Sequence, residues 1–167
     1  VSSNQDQFTG ASYKSKRVWL GDKKGHMYSI DPQNGVVNRY EIPEIKQPVS
    51  NLLVTESGLM YITTNEGAYE YNIGYKQLTK LPFTIPEKDN GIIFYDKYDK
   101  VWFQEGNQAL TYYDPLNRSH HRFTFPNQNA IGNFEMQDAG EQGMFFMTQG
   151  GAILLFDREQ LDMTRLN

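Results

Sequence analysis

Three histidines are the whole imidazole content of the 167 residues: His26, His120 and His121. The adjacent pair comes nearest to a metal-ligand set. Neighbouring side chains in an extended strand leave opposite faces, so His120 and His121 make a poor joint site. Asp31, Asp114 and Asp157, with Asn72, could do acid–base chemistry, yet each stands at the head of a turn signal. A short carboxylate or amide there accepts hydrogen bonds from the next backbone N–H groups. Gly143 and Gly150-Gly151 lack the lysine, the Ser/Thr and the following helix that a phosphate loop needs. The serines sit in no nucleophile elbow. Cysteine is absent, which removes thiol catalysis, disulfides and cysteine-ligated metal. The sequence therefore predicts no catalytic residue, no metal and no cofactor.

The elements behind these residues follow from a repeat. Val18-Trp19-Leu20, Met60-Tyr61-Ile62, Val101-Trp102-Phe103 and Met144-Phe145-Phe146 recur at steps of 42, 41 and 43 residues. Runs starting at Gly25, Gly67, Gln108 and Gly151 then lead to Asp31, Asn72, Asp114 and Asp157. Nine residues later stands an apolar side chain each time: Tyr40, Leu81, Phe123 and Leu166. A β-propeller blade takes roughly 40–50 residues. The chain is thus read as all-β, a β-propeller of four blades with four antiparallel strands each, the blades near 7-41, 49-82, 90-124 and 132-167. First strands are expected at 8–12, 51–54, 91–94 and 133–136, and third strands at 26–30, 68–71, 109–113 and 152–156. A lone four-stranded sheet cannot bury both faces, so Trp19, Tyr61, Trp102 and Phe145 are expected in the seams between blades. The content of 11 Tyr, 10 Phe and 2 Trp suits pleated, half-buried surfaces.

Four blades leave closure open. They could form one ring, or an arc of a larger propeller with two bare seams. Such an arc would pair with the missing blades of the parent or with another copy, because bare seams expose more apolar area than monomers usually carry. A net charge of −4 gives no overall attraction for nucleic acid. No apolar run approaches the ~18 residues of a membrane span, and no direct membrane contact is expected.

Repeat scaffolds bind through loops along one face. The turns between second and third strands should share an end with the blade-to-blade links. That nominates Lys23, Asn65, Glu66, Glu105, Asn107, Gln108 and Gln149 as ligand contacts. The links add Glu44, Lys46, Gln47, Asp89, Asn90, Asn127, Gln128 and Asn129. Amides and carboxylates with Tyr28, Tyr69 and Tyr95 nearby suit a hydroxyl-rich ligand such as an oligosaccharide. The same groups also make an ordinary hydrated surface.

The best repeat copy, Lys16-Arg-Val-Trp-Leu-Gly-Asp-Lys-Lys-Gly-His-Met-Tyr-Ser-Ile-Asp31, resembles the two-component-regulator propeller repeat. That repeat is found in the sensor half of bacterial hybrid histidine kinases that regulate glycan use. Thr63-Thr-Asn-Glu-Gly67 is similar to a Gly-Thr-x-x-Gly segment of the same family. Copy 3 departs with Gln108 for glycine and copy 4 with Phe145 for tryptophan. The resemblance implies a periplasmic or extracellular ligand-sensing domain, and a piece of a longer protein. Gly25 to Pro32, as Gly-x-x-x-x-Ile-Asp-Pro, is also similar to the repeats of streptogramin-lyase-like propellers, which include enzymes. A purely structural interaction module is the remaining reading. An enzyme should gather a His or Glu cluster, whereas a sensor should gather amides and aromatics with no base beside a nucleophile.

Overall fold

The computed structural model describes residues 8–14, 16–83, 93–105, 109–124 and 134–167. Their strands form four sheets, each of four strands consecutive in the sequence. The first holds β1 (Phe8–Lys14), β2 (Arg17–Asp22), β3 (Met27–Ile30) and β4 (Val37–Tyr40). The second holds β5 (Asn51–Val54), β6 (Leu59–Thr64), β7 (Gly67–Asn72) and β8 (Gln77–Lys80). In the third are β9 (Ile93–Tyr95), β10 (Val101–Glu105), β11 (Ala109–Asp114) and β12 (Ser119–Thr124). The fourth has β13 (Phe134–Asp138), β14 (Gly143–Thr148), β15 (Ile153–Asp157) and β16 (Asp162–Arg165). The only helical piece among the described residues is a 3-10 turn at Gly140–Gln142.

Hairpin chemistry sets these boundaries. The backbone N–H groups of Gln33, Leu116 and Gln160 donate to Asp31, Asp114 and Asp157 at 2.9, 2.9 and 2.8 Å, and that of Tyr75 donates to Asn72 at 3.0 Å. All four turn heads therefore bind their own backbone. Strands β3 and β15 start one residue later than expected. The N–H groups of His26 and Ala152 are taken by the side chains of Asp22 (2.9 Å) and Thr148 (3.0 Å).

The chain divides into two compact units, Val1–Tyr95 and Asp96–Asn167. In the first, Trp19 and Met27 of the first sheet share a buried cluster with Leu52, Met60, Ile62 and Tyr71 of the second. Gly21 permits the approach, since a Cβ there would lie 2.4 Å from Val49 Cγ1. Tyr61 is buried on the other face of its sheet, its hydroxyl donating to Glu70 at 3.0 Å.

In the second unit, Trp102 packs edge-on against Phe146 and Phe156 of the fourth sheet, at 5.2 and 4.8 Å between centroids. Its indole N–H donates to Asp96 at 3.1 Å, and Arg158 donates to the same oxygen at 3.1 Å while lying over the Tyr98 ring. Phe145 differs from the other three central aromatics. It is half-buried, because its face of the fourth sheet stays partly open to solvent.

Candidate functional site

The site begins where the second strand of each sheet ends. Three residues after each central aromatic stand Asp22, Thr64, Glu105 and Thr148, all buried. A polar side chain at this point can satisfy the hairpin backbone that follows. Thr64 accepts from the Glu66 N–H at 3.1 Å, as Thr148 does from Ala152. In the first and third sheets the position holds an acid, and there the network reaches the outer strand.

Asp22 is 1% exposed and accepts four hydrogen bonds: from the backbone N–H groups of Lys24 and His26 at 2.8 and 2.9 Å, from His26 Nδ1 at 2.9 Å and from the Tyr28 hydroxyl at 3.1 Å. Burial works to raise its carboxyl pKa, but these hydrogen bonds outweigh burial and hold it below the ordinary aspartate value. The other imidazole nitrogen, Nε2, lies 2.9 Å from the Arg39 guanidinium. Arginine only donates, so Nε2 accepts and Nδ1 carries the proton. His26 thus has both ring nitrogens engaged. Arg39 also pairs with Glu41 at 2.9 Å. In the third sheet Glu105 accepts from the Thr111 hydroxyl and from Arg122 Nε, the latter at 2.7 Å.

The link after β4 closes over this turn. Val49 N–H donates to the Asp22 carbonyl at 3.0 Å, and the Gln47 amide donates to Glu66 at 2.7 Å. Gly25 has φ +84°, and a Cβ on it would strike the Ile45 carbonyl oxygen at 2.7 Å. Between turn and link lies a cleft of about 220 Å³, lined by Lys24, His26, Glu41, Pro43, Ile45 and Lys46 among others. This is below the ~300–1,000 Å³ of drug-sized pockets and near the size of one sugar ring. Its polar groups are of both signs, and Ile42, Pro43 and Ile45 give it an apolar bed.

The nominated residues fall into three groups. Lys23, Asn65 and Glu66 are exposed in turns of the first unit, and the 42–48 link bridges the two turns. Gln149 is exposed in the second unit, beside a concavity of about 350 Å³ shared with Phe134, Glu135, Met147 and Thr148. Glu105 is buried and spent on Thr111 and Arg122, so its carboxylate serves the sheet. Asn107 and Gln108 lie outside the described residues, as do Asp89, Asn90, Asn127, Gln128 and Asn129. The sequence reading missed the roles of His26, Arg39 and Glu41. A signal was present: a basic residue precedes each outer apolar landmark, at Arg39, Lys80, Arg122 and Arg165. Among the described residues no three His, Asp or Glu side chains converge to hold a metal.

No protein-family model matches the chain, and no curated protein matches it. Solved structures do. It is 18% identical to virginiamycin B lyase from Staphylococcus aureus, over 98% of this chain and 56% of that one, with a TM-score of 0.68. A histidine-to-alanine form of the lyase, solved with quinupristin, is catalytically inactive. It is 14% identical to the extracellular domain of a B. thetaiotaomicron protein assigned as a hybrid two-component system, over 96% of this chain and 23% of that one, at 0.67. The fold is that of a β-propeller. A third match, the computationally designed Ika4 protein, is 12% identical and runs over 100% of this chain and 96% of that one, at 0.65. The chain thus spans little more than half of the lyase and about a quarter of that extracellular domain. At these identities the likeness establishes fold, and both families resembled by the Lys16–Pro32 segment share it.

Proposed function

We propose that this chain is a ligand-sensing, extracytoplasmic propeller domain of a two-component sensor of glycans, without enzyme activity of its own. The observation that carries the reading is the state of His26. Both ring nitrogens are engaged, by Asp22 and by Arg39, so the imidazole is a fixed part of the cleft wall. A general base needs its lone pair free for the substrate proton. A sugar ring on the Ile42–Pro43 bed would instead meet Lys24, Glu41 and Lys46 as donors and acceptors for its hydroxyls.

Calorimetry against a panel of plant, host and fungal oligosaccharides tests this. Weak binding is expected, reduced about tenfold by Lys46→Ala, the loss of one good polar contact. The second reading is a streptogramin-lyase-like enzyme, and the Asp22–His26 pair is the observation in its favour. Turnover of a cyclic streptogramin ester, lost in His26→Ala, with no saccharide binding, would put the lyase in place of the sensor.

A further inference from the structure

We propose that a second copy of this chain docks head to tail on the first, the open face of the fourth sheet in one copy covering the open face of the first sheet in the other. The basis is the seam built inside each unit. In each, the face bearing the central aromatic, Trp19 or Trp102, meets the opposite face of the following sheet. That receiving face is formed by Met60, Ile62, Tyr69 and Tyr71 in the second sheet and by Met144, Phe146, Leu154 and Phe156 in the fourth, all buried.

The repeat also places an aromatic face on the fourth sheet and a receiving face on the first. Phe145 stands where Trp19 and Trp102 stand, with Met147, Ile153 and Leu155 on its side of the fourth sheet. Ile153 is 37% exposed and Met147 42%, whereas Met27, Ala68 and Leu110, which occupy the position of Ile153 in the other sheets, are each 0% exposed. The receiving positions of the first sheet are Val18, Leu20, Tyr28 and Ile30. They are only half-buried, and Val37, paired with Ile30, is 56% exposed.

Both faces are therefore apolar, carry the residue types of a working seam, and remain open. Charge is compatible: exposed Glu135 borders the aromatic face and exposed Arg39, whose partner within its own copy is the exposed Glu41, the receiving face, each at the sheet end where the second strand stops. Two different faces meeting make a heterologous contact, which propagates to a ring or a filament according to whether the rotation closes.

Sedimentation velocity and light scattering of the whole chain from about 1 to 100 μM, the usual range of such association, provide the test. The unaltered chain is expected to associate into multiples of its 19.3 kDa mass. Ile153→Asp and Val37→Asp each place a charge at an already exposed position, so both should keep the strand-type circular dichroism of the parent. Each alone should weaken association more than about tenfold. Mixed, they should form a one-to-one dimer, because one variant retains an intact receiving face and the other an intact aromatic face. A 19.3 kDa species at every concentration overturns the proposal. So does association that neither substitution weakens, or a mixture of folded variants that stays monomeric.

Discussion

Asp22 accepts four hydrogen bonds, and its charge state follows from them. Burial alone would raise its pKa, and four donors bring it below the ordinary value. Asp114 is held low in the same way, burial being outweighed by Lys100 at 2.8 Å and by the Leu116 N–H. A carboxyl with a folded pKa below its unfolded one, about 3.9, stabilises the fold fully above that pH, and the contribution disappears as pH falls through the folded value. Asp22→Asn can still accept from the two backbone N–H groups, but its amide N–H₂ would face the His26 Nδ1–H. We expect a loss of about 1–3 kcal/mol at pH 7, shrinking as pH falls through the lowered folded value, where the parent carboxyl is itself protonated. Urea titrations of both proteins across this range are the check. A deficit that does not change with pH would mean the carboxylate charge is irrelevant.

At the scale of elements, Trp19 and Trp102 hold the same strand position and differ in one respect. The Trp102 indole N–H is satisfied by Asp96, while the buried Trp19 N–H has no partner among the described residues. Replacement by phenylalanine opens a similar cavity at both sites. Only at Trp102 does it also remove a hydrogen bond to a buried, Arg158-paired carboxylate. Trp102→Phe should therefore cost about 1–2 kcal/mol more than Trp19→Phe, read as the difference between two denaturant midpoints. Equal losses would mean that packing alone sets the cost. The same turn-end logic explains why Asp22, Thr64 and Thr148 share one phase: a strand that stops inside a packed sheet needs a side-chain acceptor for the next turn, while Glu105 at the same position serves the next two strands instead.

For the whole molecule, strands dominate and the described helical content is one 3-10 turn. Far-UV circular dichroism should show a single strand-type band, and pronounced helical minima would contradict the fold. The two units each have an aromatic core of their own, built on Trp19 in one and Trp102 in the other. The open faces at the first and fourth sheets extend the seam chemistry beyond the chain, which is why its state of association is the most informative property to measure.

The sequence alone determined the four repeats, the propeller fold, the strand that carries each central aromatic, and the turn-head role of Asp31, Asn72, Asp114 and Asp157. Those are local or periodic properties: strand alternation, turn chemistry and a fixed step survive without knowledge of neighbours. Tertiary structure decided what depends on distance between strands. Glu105, nominated for a ligand, turned inward to Thr111 and Arg122 because strand pairing sets Thr111 opposite Arg122 on the side where the β10 end delivers it. His26, to which the sequence assigned no role, is fixed in the cleft wall because Asp22 closes a turn on one of its nitrogens and Arg39 arrives from the outer strand on the other. Phe145 kept the repeat's phase but not its burial, since a seam residue is buried only when a receiving sheet covers it.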